Sequence, residues 1–211
     1  MPRITAKTFF TEEEKQRIEA TVRAVEQRTS GEIVPMVVDQ SYDYPQAEIV
    51  GAGCFSLAGS SLLSWYFGGA SIWLFLAAFF PLYFLFKAGI RHTPGLKRRL
   101  IHPAEITAEV EEKALVSFLE QGLHHTRDDT GILILISLLE HRVYVLADRG
   151  INAVVPPHTW DEIVRTVTAG IHEGRTCDAL CAAIERCGNL LEGHFPAKHD
   201  DTDELPNLIL R

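Results

Sequence analysis

One apolar stretch, Ile49–Ile90, constrains this chain more than any other feature. It holds no acidic residue and a single basic one, Lys87, near its far end. A helix of about 20 apolar residues crosses the hydrocarbon core of a bilayer, so the stretch is long enough for two crossings. Gly68 and Gly69 fall where a tight turn between them belongs. The pattern therefore predicts a transmembrane helical hairpin over 49–90, with helices at Ile49–Phe67 and Ala70–Gly89. The second is dense in Leu, Phe, Trp and Tyr. The first is softer, with Ser56, Ser60, Ser61 and Ser64, and its Gly51, Ala52, Gly53, Ala58 and Gly59 permit close helix approach. Pro81 removes one backbone donor from the second helix and predicts a kink there. The competing reading is a buried core hairpin of a soluble protein. Little else in so short a chain could cover that much apolar surface.

Flanking charge sets the expected orientation. Arg91, Lys97, Arg98 and Arg99 follow the second helix, whereas the link between the helices is uncharged. The positive-inside rule places this flank, and with it both termini, in the cytoplasm. The expectation is a multi-pass protein of the inner (cytoplasmic) membrane with a cytoplasmic soluble domain. Met1–Phe10 has no apolar core of the kind a signal peptide needs. Trp65 and Trp73, near the turn, suit interfacial anchors.

Of the 211 residues 46% are hydrophobic, and the formal net charge is −8. The acidic balance argues against nucleic acid binding, where a basic face is expected. The basic run after the hairpin is explained by topology and lipid headgroups. The four cysteines, Cys54, Cys177, Cys181 and Cys187, are expected to be free thiols in a reducing compartment.

Outside the hairpin the chain alternates helices and strands. Thr11 followed by Glu12, Glu13 and Glu14 reads as an N-cap with a capping box, opening an amphipathic helix on Ile18, Val22 and Val25. Glu32–Asp39 reads as a strand, with Pro35 implying an edge or a bulge. Arg91–Pro103 reads as a basic connector, and Ala104–His125 as a helix with an apolar stripe through Val110, Ala114, Leu115, Phe118, Leu119 and Leu123. Ile132–Leu138 and Arg142–Ala147 read as an antiparallel hairpin turning at Leu139-Glu140-His141. His158–His172 and Thr176–Leu191 read as helices, Thr176 capping the second. The predicted class is α/β: a small mixed sheet with helices on both faces, interrupted by the membrane hairpin. The expected parts are 1–48 and 91–192 as two pieces of one soluble domain, 49–90 as the hairpin, and 193–211 as a flexible polar tail bearing Asp200, Asp201, Asp203 and Glu204.

Thr29-Ser30-Gly31-Glu32-Ile33 with Val37-Val38-Asp39 resembles the first-strand signature of the TPM-domain family. So does Asp128-Asp129-Thr130-Gly131-Ile132-Leu133-Ile134-Leu135-Ile136-Ser137, with Arg142–Ile151 as its partner strand. The resemblance, to a branch of membrane-anchored bacterial relatives among others, implies a small α/β sandwich. For some members it also implies acid phosphatase activity and divalent-cation binding. Many relatives have an exported domain and a single terminal anchor, a plan from which this chain departs.

The candidate site is acidic. Asp128 and Asp129 precede one strand and Asp148 follows its antiparallel partner, so the hairpin brings them together. Three carboxylates at one sheet end suit Ca²⁺ or Mg²⁺, which prefer oxygen ligands. The plainer alternative is that they cap turns and helices, with Arg142 and Arg149 neutralising them. Glu32 joins only if the first strand starts at the same end. No nucleophile–base set marks a catalytic residue. His124-His125, His172-Glu173 and the three C-terminal cysteines read as structural. Two functions follow: a membrane-tethered accessory or interaction domain that binds a protein partner, with a structural cation, or a metal-assisted acid phosphatase acting on phosphomonoesters.

Overall fold

The computed structural model describes residues 5–69, 71–126, 129–156, 158–197 and 205–211. In chain order the elements are α1 (Glu12–Glu26), β1 (Glu32–Val38), α2 (Pro45–Gly68), α3 (Ile72–His92), α4 (Pro94–Leu100), α5 (Pro103–Glu120), β2 (Gly131–Ser137), β3 (Arg142–Ala147), α6 (Arg149–Asn152), α7 (Thr159–His172), α8 (Thr176–His194) and β4 (Ile209–Leu210). They form two compact units, one of Met1–Ser41 with Ala108–Arg211 and one of Tyr42–Thr107.

The first unit is a mixed α/β layer structure built on a four-stranded sheet ordered β3-β2-β1-β4. The N-terminal strand β1 runs parallel to β2 without a register break, from Glu32 opposite Gly131 to Val38 opposite Ser137. β2 and β3 are antiparallel, from Ile132 opposite Ala147 to Ser137 opposite Arg142. This is the topology the sequence predicts for those three strands. Because side chains alternate along a strand, one face carries Ile33, Val37, Ile132, Ile134, Val143 and Val145, and these join one core with Ile18, Val22, Ile163, Leu180 and Ile184 of α1, α7 and α8. Each such side chain contributes about 1.5–3 kcal/mol by leaving water. The other face, with Val34, Met36, Leu133 and Leu135, is buried too. On that side α5 buries Val110, Ala114 and Phe118. Glu111 of α5 lies near enough to Tyr144 to raise its phenol pKa, after the larger effect of burial.

Local chemistry explains the element ends. Thr11 Oγ1 accepts from the Glu14 N–H at 3.2 Å while Glu14 Oε2 accepts from the Thr11 N–H at 2.8 Å, the reciprocal capping box that the sequence predicts. The helix expected to reach His125 stops at Glu120. Gly122, at φ +77°, adopts a left-handed conformation that ends it, and Leu123–His125 makes a separate 3-10 turn.

Four expectations need correction. Pro35 is not in an edge strand, since β1 has neighbours on both sides. Yet β4 pairs only with Met36 and Val37, and the Val37 carbonyl and Asp39 N–H bond Arg211 on that side. Odd-numbered backbone groups of β1 thus face β4, and Pro35 lies just before β4 begins, where its missing donor breaks no ladder bond. Second, the tail expected to be loose from Gly193 is helical to His194 and returns to the sheet as β4. Asp200, Asp201, Asp203 and Glu204 lie outside the described residues. Third, Thr176 is the first helical residue of α8, and Arg175 occupies its N-cap. Fourth, the basic connector contains a short helix, α4.

The second unit is a helical hairpin. α2 and α3 pack along one another, with a turn at Gly69. Both are long and apolar enough to cross a membrane, over Pro45–Phe67 and Ile72–His92. Three of the four serines that soften α2 are turned inward and satisfied, and Ser61 is exposed. Ser56 Oγ donates to the Gly53 carbonyl at 3.0 Å, Ser60 Oγ to Leu57 at 3.2 Å and Ser64 Oγ to Ser71 at 2.7 Å. In hydrocarbon this is how a hydroxyl avoids an unpaired donor.

Candidate functional site

The site is assembled by register. Pairing of Ile132 with Ala147 continues into a bond from the Asp148 N–H to the Gly131 carbonyl, 2.9 Å. Glu32 is opposite Gly131 on the other side. The starts of β1 and β2 and the end of β3 therefore meet at one end of the sheet. Glu32 and Asp148 flank Gly131 in one row, on the face opposite the α1–α7–α8 core. The condition set for Glu32 from sequence, that its strand begin at the same end, is met.

Asp129 sits beside this row. It has φ +55°, a left-handed conformation that Asp tolerates better than most residues. Its N–H donates to the Thr126 carbonyl at 3.2 Å and its carbonyl accepts from Gly150 at 3.1 Å, which ties the β2 entry to α6. Thr126 Oγ1 takes the Thr130 N–H at 2.9 Å, closing the loop. Asp128, the third predicted ligand, lies outside the described residues.

Two interactions bear on how these carboxylates are used. Asp129 Oδ2 accepts from Arg149 Nη2 at 2.5 Å, and this contact raises the guanidinium pKa. Asp148 caps α6, its Oδ1 accepting from the Arg149 N–H at 2.6 Å. The second oxygen of Asp148 is buried and meets no hydrogen-bond donor. The geometry thus brings Asp129 and Asp148 to one place, gives each a structural partner, and leaves one buried carboxylate oxygen over. Among the described residues no group of three or more His, Cys, Asp or Glu side chains is placed to hold a metal.

Sequence reasoning missed a second polar cluster at the opposite end of the sheet. Glu140, 1% exposed, lies in the β2–β3 turn. Its Oε2 takes a 2.5 Å hydrogen bond from Ser137 Oγ, its Oε1 takes the Ser41 N–H at 2.9 Å, and the two serine hydroxyls are 2.9 Å apart. Nothing in the local sequence separates a buried Glu in a turn from a solvated one. The signal would have been the pairing of two distant serines, which appears only once β1 and β2 are aligned.

Residues 100–190 match a family model. The match is to the TPM domain. This TPM match takes in α5, β2, β3, α6, α7 and most of α8, and so the strand motifs that carry the resemblance in sequence, apart from Thr29–Asp39. No curated protein matches the chain. Among solved structures it is similar to the NMR structure of BA42 protein from the psychrophilic bacterium Bizionia argentinensis, with a TM-score of 0.60 and 23% identity, over 100% of this chain and 99% of that one. At that identity the likeness shows the fold alone.

Proposed function

We propose that the chain is a membrane-tethered TPM domain that serves as an accessory or interaction module for a protein partner. The observation that carries this reading is the surface of α2 and α3. Trp65, Tyr66, Phe67 and Trp73 are each more than 70% exposed, and none of the most apolar window of α3 is buried. A contiguous apolar surface of that kind has no stable place in water. In a bilayer it needs no cover, and the inward, backbone-bonded serines of α2 fit the same setting. With Arg91, Lys97, Arg98 and Arg99 beyond α3, both termini belong to the cytoplasmic side. Reporter fusions at Gly69 and Arg211 test the orientation: the Gly69 fusion is exported and the Arg211 fusion is not. An exported Arg211 fusion overturns it.

At the acidic sheet end we assign a weak site for Ca²⁺ or Mg²⁺ to Asp129 and Asp148, with Asp128, the third ligand expected from the sequence, as its neighbour in the chain. The buried, donor-free oxygen of Asp148 supports it, since a carboxylate oxygen out of water without a partner is costly. A bound cation would supply positive charge at that oxygen, and Arg149 is its rival for Asp129. The phosphatase alternative has less behind it, because no sequence motif marks a nucleophile–base set beside these carboxylates. A screen of the purified chain on phosphate monoesters, with and without divalent ions, separates the two. Metal-dependent turnover would favour the hydrolase.

A further inference from the structure

α4 is only seven residues long, and it is firmly held. Lys97 Nζ lies 2.8 Å from Glu48 Oε1 near the start of α2, with the two side chains 7% and 12% exposed. One turn on, Leu100 reaches α2 at Gly51, where an added Cβ would meet Leu100 at 2.7 Å and Ile90 at 3.0 Å. Gly51 is thus the notch that lets α4 fold back on the hairpin. With Lys97 and Leu100 turned inward, Arg98 and Arg99 point outward, and Arg91 is exposed at the end of α3. Among the described residues these three arginines enter no ion pair, whereas Lys97 is neutralised by Glu48.

Their position sets the ligand chemistry. They cluster at the end of the hairpin away from the Gly69 turn, where the apolar helices stop. A basic group at that level faces phosphate headgroups, and guanidinium is suited to phosphate oxygens by its planar donor fork. We infer that Arg91, Arg98 and Arg99, presented on an α4 pinned by Lys97–Glu48 and Leu100–Gly51, form a docking surface for the headgroups of anionic phospholipids. This rests on the membrane-tethered reading and adds a lipid preference to it.

The test uses the full chain in nanodiscs of equal phosphatidylcholine and phosphatidylglycerol, released for native mass spectrometry of retained lipid. Wild type should retain the anionic lipid in preference, by roughly fivefold for each arginine engaged. R91Q/R98Q/R99Q should lose the preference, and R98K/R99K should keep most of it. Millimolar phosphate should leave it unchanged. Equal retention of both lipids by wild type, or a preference that survives in the triple Gln variant, overturns the lipid assignment while the tether stands. Loss of the preference in phosphate overturns it too, because the arginines then bind a soluble anion. A chain that does not enter nanodiscs at all overturns the tether and this inference with it.

Discussion

Ser137 Oγ donates to Glu140 Oε2 at 2.5 Å inside the β2–β3 turn, and the other carboxylate oxygen receives the Ser41 N–H from the end of the β1 strand region. One buried carboxylate therefore joins the hairpin turn to the exit of the neighbouring parallel strand. Truncating it leaves a buried hydroxyl and a backbone N–H without their acceptor, at about 1–3 kcal/mol for an unsatisfied group. Glu140→Ala is expected to lower stability by that order in a denaturant titration. Ser41→Ala should cost less, since the Ser41 N–H bond survives. Equal or reversed losses would show that the network does not hold the turn.

The Lys97–Glu48 pair predicts a different pattern. Removing one partner of a buried pair strands a charge and costs about 3–5 kcal/mol, whereas replacing both with apolar residues is close to neutral. Lys97→Met alone should therefore lower the melting temperature more than Lys97→Met with Glu48→Leu. A double variant as unstable as the single one contradicts the packing described for α4.

Burial governs the thiols of α8. It pushes the Cys187 pKa up to about 12, and burial with the neighbouring Cys181 pushes Cys177 up to about 11, from an ordinary value of 9.0. The folded state then holds these protons at pH values where the unfolded chain has released them. Stability is unaffected below about pH 9 and falls as pH rises from there towards 12. Cys187→Ala should flatten that fall. Native Cys187 should also resist maleimide labelling at pH 8 until the chain is unfolded, because the thiolate is the reactive form.

Much of the fold is legible in the sequence because it rests on local periodicity. β3 is predicted residue for residue, and α1 follows from its capping box and the Ile18, Val22, Val25 stripe. Long-range features are what local patterns omit. β4 is two residues whose only reason to be a strand is the open side of β1 at Met36 and Val37. α4 reads as connector because Lys97 looks solvated until Glu48, nearly fifty residues earlier, is placed beside it. At the candidate site, the meeting of Asp129 and Asp148 follows from hairpin arithmetic. Glu32 could be placed only with the parallel register, and the division of Arg149 between side-chain pairing and backbone capping required the structure.

That division makes the cation site testable. Weak millimolar Ca²⁺ binding to the folded chain should raise the melting temperature by about 3–6 °C. Asp129→Asn should abolish the gain, and Arg149→Gln, which removes the rival cation from Asp129, should enlarge it. If calcium leaves wild type and Arg149→Gln alike unchanged in calorimetry, the carboxylates serve the loop and α6 alone.

Whether α2 and α3 lie in a bilayer is decided by alkaline carbonate extraction. Membranes from cells expressing the full chain are washed at high pH, which strips peripheral proteins and leaves spanning helices in place. The chain is expected to stay in the membrane pellet and to be released only by detergent. Recovery of the chain in the carbonate supernatant would contradict it.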